Sequence, residues 1–232
     1  MHDALLAQLP TLPARPSGLG DQAQGLRRLF AGTGVQFVPL VSNPNVAFGG
    51  VMIERLCTAF AERGKHTLVI DAAERSPAAS DLALLDLAAC IEPLSASVSY
   101  LAARGLPIRH VDARGSTRGF LTAAADAAPQ AQVLLVHANA ADLSRMFAPR
   151  GEPPTTRPIL LADDRPASVT HAYAAMKQLH QRAGIVVFDL LLGAAASSPR
   201  ATPFAAQLAG CADQFVGAVG CEWARPDPAC HP

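Results

Sequence analysis

The stretch Val41–Leu56, "VSNPNVAFGGVMIERL", decides how the rest of the chain is read. Upstream lies "VQFVPLV" (35–41), an apolar run of strand length, and from Val51 onward apolar residues recur at helical spacing. Between them is a turn carrying Pro44, Gly49 and Gly50. Strand, glycine-bearing turn and helix in that order set helix N-terminal amides at a strand's carboxyl end, where many α/β proteins hold a phosphate. The stretch nevertheless lacks a lysine and lacks a serine or threonine where the helix begins, the groups that serve a terminal phosphate and its magnesium ion. Pro44 removes one amide donor as well. The missing charge-assisted contact alone is worth roughly 1.5–3 kcal/mol. Two readings of Asn43, Asn45, Gly49 and Gly50 therefore stand side by side: a bare turn, or a weak site for a nucleotide or another anion.

Outward from this stretch, strand-like and helix-like segments alternate. Strands are expected at 35–41, 66–72, 107–113, 131–138, 158–164, 184–192 and 214–220. Helices are expected at Val51–Arg63, Ser80–Ala89, Ser95–Ala103, Phe120–Ala127, Ala140–Phe147, Ser168–Arg182 and Thr202–Cys211. Unbroken apolar strands such as "AQVLLVHA" (131–138) are those of a sheet covered on both faces. The expected fold class is α/β: a doubly wound, mostly parallel sheet with helices on both faces. "APRGEPPTTRP" (148–158) reads as a surface linker within that domain, and no internal repeat is present.

Three regions follow along the chain. Residues 1–34 hold a Pro- and Gly-rich arm, "LPTLPARPSGLG" (9–20), then a short amphipathic helix in "DQAQGLRRLFAGTG" (21–34). Asp21 suits its N-cap, Ala23, Leu26, Leu29 and Phe30 lie near helical spacing, and Gly32 and Gly34 end it. So short a helix needs a surface to dock on. Residues 35–220 form the α/β domain, and 221–232, with three prolines after Trp223, are expected to be a disordered tail.

Composition narrows the function. The 232 residues are 50% apolar, with 19 basic and 19 acidic side chains and zero formal net charge. That balance offers no electrostatic footprint for nucleic acid. No apolar run approaches the length of about 20 residues that spans a bilayer, and no signal peptide is evident. A soluble, cytoplasmic protein is expected. Cys57, Cys90, Cys211, Cys221 and Cys230 are odd in number and contain no CxxC pair, which argues against a disulfide framework or a structural zinc site. A metal set from Cys221, Cys230 and His231 is the weaker reading beside a loose tail. No G-x-S-x-G elbow and no dinucleotide fingerprint occurs.

The strand, loop, helix and following "HTLVIDAA" (66–73) resemble the MinD/ParA class of P-loop ATPases, whose loop reads KGGVGKT and whose second strand ends Asp-Ala-Asp. Two further stretches resemble one family in that class, the FlhG/FleN (YlxH) flagellar-number regulators. "DQAQGLRRL" (21–29) is similar to the DQAxxLR helix that precedes their ATPase core, and "LADDRPASVTHAYAAMKQLH" (161–180) to their PEPTSITDAYALIK segment. The resemblance covers residues 21 to about 219. It implies the P-loop NTPase fold and Mg-ATP chemistry, but the chain departs from the pattern at three elements. The family's Lys-Thr falls on Gly49-Gly50. Asp71 matches the strand-end aspartate, but Ala73 replaces its companion. His137 and Ala138 stand where the DxPAG motif has its acid.

The expectation is a degenerate Walker A loop, no catalytic residue, no cofactor and no metal, with Asn43, Asn45, Gly49, Gly50 and Asp71 as vestiges of the nucleotide loop. For Asp71 a cap or turn role is expected, and for Asp163, Asp164 and Arg165 a place at a helix start. His137, His171 and His180 are dispersed and suggest no ligand set. The resemblance further implies that Asp21, Gln22, Ala23, Leu26, Arg27 and Arg28 contact an FlhF-type signal-recognition-like GTPase, against the plainer reading of a helix packed on its own sheet. Flagellar switch or regulator proteins are further candidate partners. No direct membrane anchor is expected, because the family's terminal amphipathic helix cannot form in "CEWARPDPACHP" (221–232). The alternatives are an active MinD/ParA-type ATPase with a divergent loop, drawing on Lys65 or Lys177, or an accessory factor of another polar or secretion system, like the cellulose-secretion relative BcsQ.

Overall fold

The computed structural model describes residues 34–148, 156–195, 197–216 and 221–224. The chain divides into Met1–Gly34 and Val35–Pro232, so the described residues belong, apart from Gly34, to the second unit. The helix expected at 21–30 lies outside them.

The elements run β1 (Gln36–Val41), α1 (Gly49–Ala61), β2 (Thr67–Asp71), β3 (Glu92–Pro93), β4 (Val98–Ala102), α2 (Arg118–Ala127), β5 (Val133–Ala138), α3 (Ala140–Met146), β6 (Ile159–Asp163), α4 (Pro166–Ala183), β7 (Phe188–Gly193), α5 (Ala201–Val216) and β8 (Cys221–Ala224). Among the described residues they form one eight-stranded sheet in the order β3-β4-β2-β5-β1-β6-β7-β8. Every neighbouring pair is parallel except β3 with β4. This is the doubly wound α/β fold expected from the sequence. β1 lies between β5 and β6, and the chain fills the sheet to either side of it. The carboxyl end of β1 is therefore the topological switch point, where α/β sheets open a crevice.

Period-two alternation sorts each strand between two cores. Val38, Leu40, Val69, Val133, Leu135, Leu161 and Leu191 pack with Met52 and Cys57 of α1 on one face. Leu68, Ile70, Leu134, Val136, Leu160, Leu190 and Leu192 meet α2 to α5 on the other, through Phe120, Leu143, Met176, Leu179 and Leu208 among others. Val133, Leu134, Leu135 and Val136 are all 0% exposed, which explains why β5 is apolar at every one of these positions. Burying each such side chain contributes about 1.5–3 kcal/mol.

Pro39 sits inside the central strand β1, where a missing N–H would normally break a ladder. The amides of Gln36 and Ser42 donate to Gln132 and Ala138 carbonyls, at 2.8 and 2.9 Å, on the β5 side. Alternation then turns the Pro39 nitrogen toward β6, whose pairing begins only at Leu40↔Ile159. The proline thus occupies the position in β1 that needs no donor.

Five expectations change. Residues 95–103, expected as helix, contain β4: Val98, Tyr100 and Ala102 alternate with buried Ser99 and Leu101, and the free edge of β2 takes them as a neighbour. Residues 107–113, expected as strand, form a 3-10 turn at Pro107–His110, with β2 already paired on both sides. Residues 80–89 make two 3-10 turns, Asp81–Leu84 and Ala88–Cys90; Leu82, Leu84 and Leu85 are exposed, so a longer helix would gain little buried apolar surface here. The strand expected at 214–220 is displaced: α5 continues through Val216, and β8 follows at Cys221–Ala224. β8 pairs with β7, so the sheet reaches past residue 220 and residues 221–224 are not part of a disordered tail. At the other edge β3 ends on Pro93, beside exposed Leu94.

By the same alternation Gly193, two residues beyond Leu191, lies under α1. A Cβ there would come 3.0 Å from the Met52 sulfur and 3.7 Å from the Ala162 carbonyl. Gly193→Val is expected to destabilise the protein by roughly 1–3 kcal/mol through overpacking, read as a lower urea midpoint at unchanged slope.

Candidate functional site

Extending the alternation past the strand ends places Ser42, Asp71, His137 and Asp163 on the α1 face. Ser42, Asp71 and His137 line one cavity of about 370 Å³, together with Asn43, Pro44, Gly49, Gly50, Glu74, Arg75 and Ser76. The cavity lies at the carboxyl ends of β1, β2 and β5, under the amino end of α1, and so brings the five expected loop residues around one space apart from Asn45.

The loop between β1 and α1 satisfies its own amides. Pro44 has no N–H. The Asn45 amide donates to Asn43 Oδ1 at 3.0 Å, an Asx turn, and the Val46 amide to the Asn43 carbonyl at 3.1 Å. The Ala47 amide donates to Asp163 Oδ2 at 3.2 Å. Side chains from β6 and α4 brace the same loop. Asn43 Nδ2 donates to the carbonyls of Leu161 and Ser168, at 2.8 and 2.9 Å, and lies 3.1 Å from Ser168 Oγ. Arg165 bonds Asp163 Oδ2 through Nε and Nη2, at 2.9 and 2.6 Å, and its Nη2 also donates to the Asn45 carbonyl. From the other side Arg75 Nη1 donates to the Pro44 carbonyl at 3.0 Å.

At the end of β2, Asp71 is the hub of a second network. His137 Nδ1 lies 2.8 Å from Asp71 Oδ1, Ser76 Oγ donates to the same oxygen, and the Tyr100 hydroxyl donates to Oδ2 at 3.2 Å. Burial pushes the Asp71 carboxyl up, but hydrogen bonds from His137 and Ser76, the His137 charge and the Ala73 amide outweigh it and hold the group below the ordinary carboxylate value. An ionised carboxylate only accepts, which puts the bridging proton on His137 Nδ1. Burial, the adjacent Asp71 and Glu92 push the Tyr100 phenol up to about 12. Ser76, Asp71 and His137 are joined with the acid in the middle, whereas a Ser-His-Asp relay needs the imidazole there. Ser42, in the same cavity, makes no hydrogen bond to His137 among the described residues. Cys57 is buried, and burial with Glu54 nearby pushes its thiol up to about 11, so it supplies no thiolate.

Mg-ATP, which the fold class implies, can be tested against this donor set. The α1 start has no lysine, hydroxyl or acid, and no side chain caps it at Phe48. Three loop amides are already taken, and Asp71 and Glu74 bring two carboxylates to the cavity wall. The cavity's arginine, Arg75, is engaged with Pro44. These residues do not match what a triphosphate and its magnesium ion require. Among the described residues no cluster of three His, Cys, Asp or Glu could hold a metal ion.

Asn43, Gly49, Gly50 and Asp71 line the one cavity, and Asn45 lies outside its lining. His137, a mere substitution in the sequence, is the partner of Asp71. Asp163, Asp164 and Arg165 do more than begin a helix: α4 has no side-chain cap at Arg165, Asp163 holds Ala47 and Arg165, and Asp164 accepts from Ser198 Oγ at 2.6 Å. Their spacing carries no signal of this, since Ala47 and Asp163 are 116 residues apart. Asp21, Gln22, Ala23, Leu26, Arg27 and Arg28 lie outside the described residues. No described helix is long and apolar enough to cross a membrane.

No family model and no curated protein matches the sequence. Solved structures do match the fold. Against a chain of the MinC:MinD cell division protein complex of Aquifex aeolicus the TM-score is 0.52 at 11% identity, over 84% of this chain and 82% of that one. Against apo McdA of Cyanothece it is 0.54 at 12% identity, over 83% and 86%. The ATP complex of a Cyanothece McdA variant gives 0.52 at 11% identity, over 82% of each chain. The chain has the MinD/ParA-type P-loop NTPase fold.

Two outcomes are expected of the site. Because its folded pKa is depressed, Asp71 stabilises the protein fully above its unfolded value of about 4 and loses that contribution as pH falls through the lower folded value. The stability difference between the native protein and Asp71→Asn, measured by urea unfolding, should be constant near neutrality and shrink below about pH 4. A Cβ at Gly49 or Gly50 meets nothing within 4 Å. Gly50→Ala should therefore stabilise by up to about 1 kcal/mol through helix propensity, whereas a loop that wraps a phosphate would resist it.

Proposed function

We propose that this protein is a nucleotide-independent regulator of flagellar number or placement, similar to the FlhG/FleN family, and that it acts by protein contact. The observation that carries the nucleotide-independent half is the loop after β1, whose Asn45, Val46 and Ala47 amides are bonded within the protein, in a loop without lysine. In this reading Asn43, Asn45, Gly49, Gly50 and Asp71 keep the shape of a nucleotide site and carry no catalysis, and the Walker A loop is degenerate. Support for the flagellar half comes from the DQAxxLR-like segment at 21–29 and the strand-to-helix segment at 161–180, which the fold places at β6 and α4. The same fold serves a protein contact in the MinC:MinD complex.

The partner in this proposal is an FlhF-type GTPase. Asp21, Gln22, Ala23, Leu26, Arg27 and Arg28 form the contact, with flagellar switch or regulator proteins as further partners. In this proposal the protein works in the cytoplasm and does not engage nucleic acid. An active ATPase would need a lysine at the amino end of α1. Lys65 precedes β2, at the amino ends of the strands and so the far end from the cavity, and Lys177 lies within α4.

The test is the GTPase rate of the FlhF-type protein from the same organism, with and without this protein. Stimulation that survives omission of ATP and falls at least tenfold in a Leu26→Ala/Arg27→Ala variant is the expected result. Absence of stimulation under every condition would refute the flagellar assignment, and dependence on ATP would refute the nucleotide-independent half.

A further inference from the structure

Asp163 and Arg165 form a clasp on the loop. The carboxylate, whose side chain is 9% exposed, accepts the Ala47 amide, and the guanidinium donates to the Asn45 carbonyl. The two side chains are themselves paired at 2.6 Å, and the Asp163 main chain is fixed in turn by Ser168 Oγ on its amide at 2.9 Å. In a working phosphate loop an anion takes the amides, so binding orders the loop. Here an anion of the chain's own takes one of them, from the β6 side, and a cation of the chain's own takes a carbonyl two residues earlier.

We propose that the Asp163–Arg165 pair is a built-in substitute for a bound phosphate, holding the loop at residues 43–47 permanently in an ordered, ligand-independent shape. The geometry gives each half of the pair a separate task. Asp163 accepts the Ala47 amide at the end of β6. Arg165 neutralises that buried carboxylate, which would otherwise be costly, and ties the Asn45 peptide down. Asn43 reinforces both by joining the loop to Leu161 and Ser168. The loop and the β6–α4 junction then move as one body, and no nucleotide is needed to couple them. This inference rests on the nucleotide-independent reading of the site and not on the identity of the partner.

Amide hydrogen exchange of the full-length protein, resolved at Ala47, tests it without any partner present. The expected result is slow exchange at Ala47 without ligand, unchanged by inorganic triphosphate with magnesium. Asp163→Asn should speed that exchange at least tenfold while the β5 amides stay protected. Arg165→Gln, which removes an exposed side chain, should speed it less and serves if Asp163→Asn fails to fold. Fast exchange at Ala47 in the native protein would overturn the proposal. So would slowing by triphosphate, or rates unaltered in the folded variants. A negative result here leaves the GTPase assay free to succeed, and the reverse holds equally.

Discussion

The pairing of β1 between β5 and β6 is the constraint on which the rest of the molecule depends. It commits every parallel strand to end on one edge and sends the chain to both sides of a single crevice. It also leaves a set of backbone amides where β1 gives way to α1, at the one point where no strand can accept them. These amides are partly exposed, so water or a ligand could fill the acceptor's role as well as the chain itself. In this protein the filling is internal: the Asn43 side chain, the Asn43 carbonyl and the Asp163 carboxylate. The polar residues at the ends of β2, β5 and β6 are arranged around that solution, with Asp71 drawing in His137 and Tyr100 from the neighbouring strands and Ser76 from the loop after β2.

The fold is legible because its signals are local. The β1–α1 unit, the apolar β5 and the long α4 each announce themselves by period and length, and their alternation implies a parallel sheet. The sequence misleads where tertiary contact overrides local preference. "SVSYLA" (97–102) has alanines and helix-compatible spacing around it, yet the vacant side of β2 makes it a strand. "DLALLDL" (81–87) has a helical look, but Leu82, Leu84 and Leu85 stay exposed while only Ala83 and Leu87 reach the core. At the carboxyl end "QFVGAVG" (214–220) is as apolar as a strand, yet α5 still runs through its first residues and the strand comes later.

The site is legible in part. That Asn43, Gly49, Gly50 and Asp71 share a crevice follows from topology alone. That Asp163 and Arg165 reach back to Ala47 and Asn45 does not, since nothing in a sequence couples positions more than a hundred residues apart without a known fold to fold them on. His137 is intermediate. Its register opposite Asp71, one strand over, can be deduced once β2 and β5 are known to be neighbours. Local pattern can only mark it as a departure from an acid.

The antiparallel β3 bears on how this molecule behaves among others. A sheet that stops at an open parallel strand invites a further strand from any passing chain. Here β3 reverses direction, spans two residues and finishes on a proline, which has no amide to offer. That termination blocks edge-to-edge growth. Leu94, which follows Pro93 and is 62% exposed, is therefore open to side-chain packing but not to extension of the ladder. Any association at this end of the molecule proceeds through side chains rather than the ladder, and zero formal net charge gives no overall repulsion between copies.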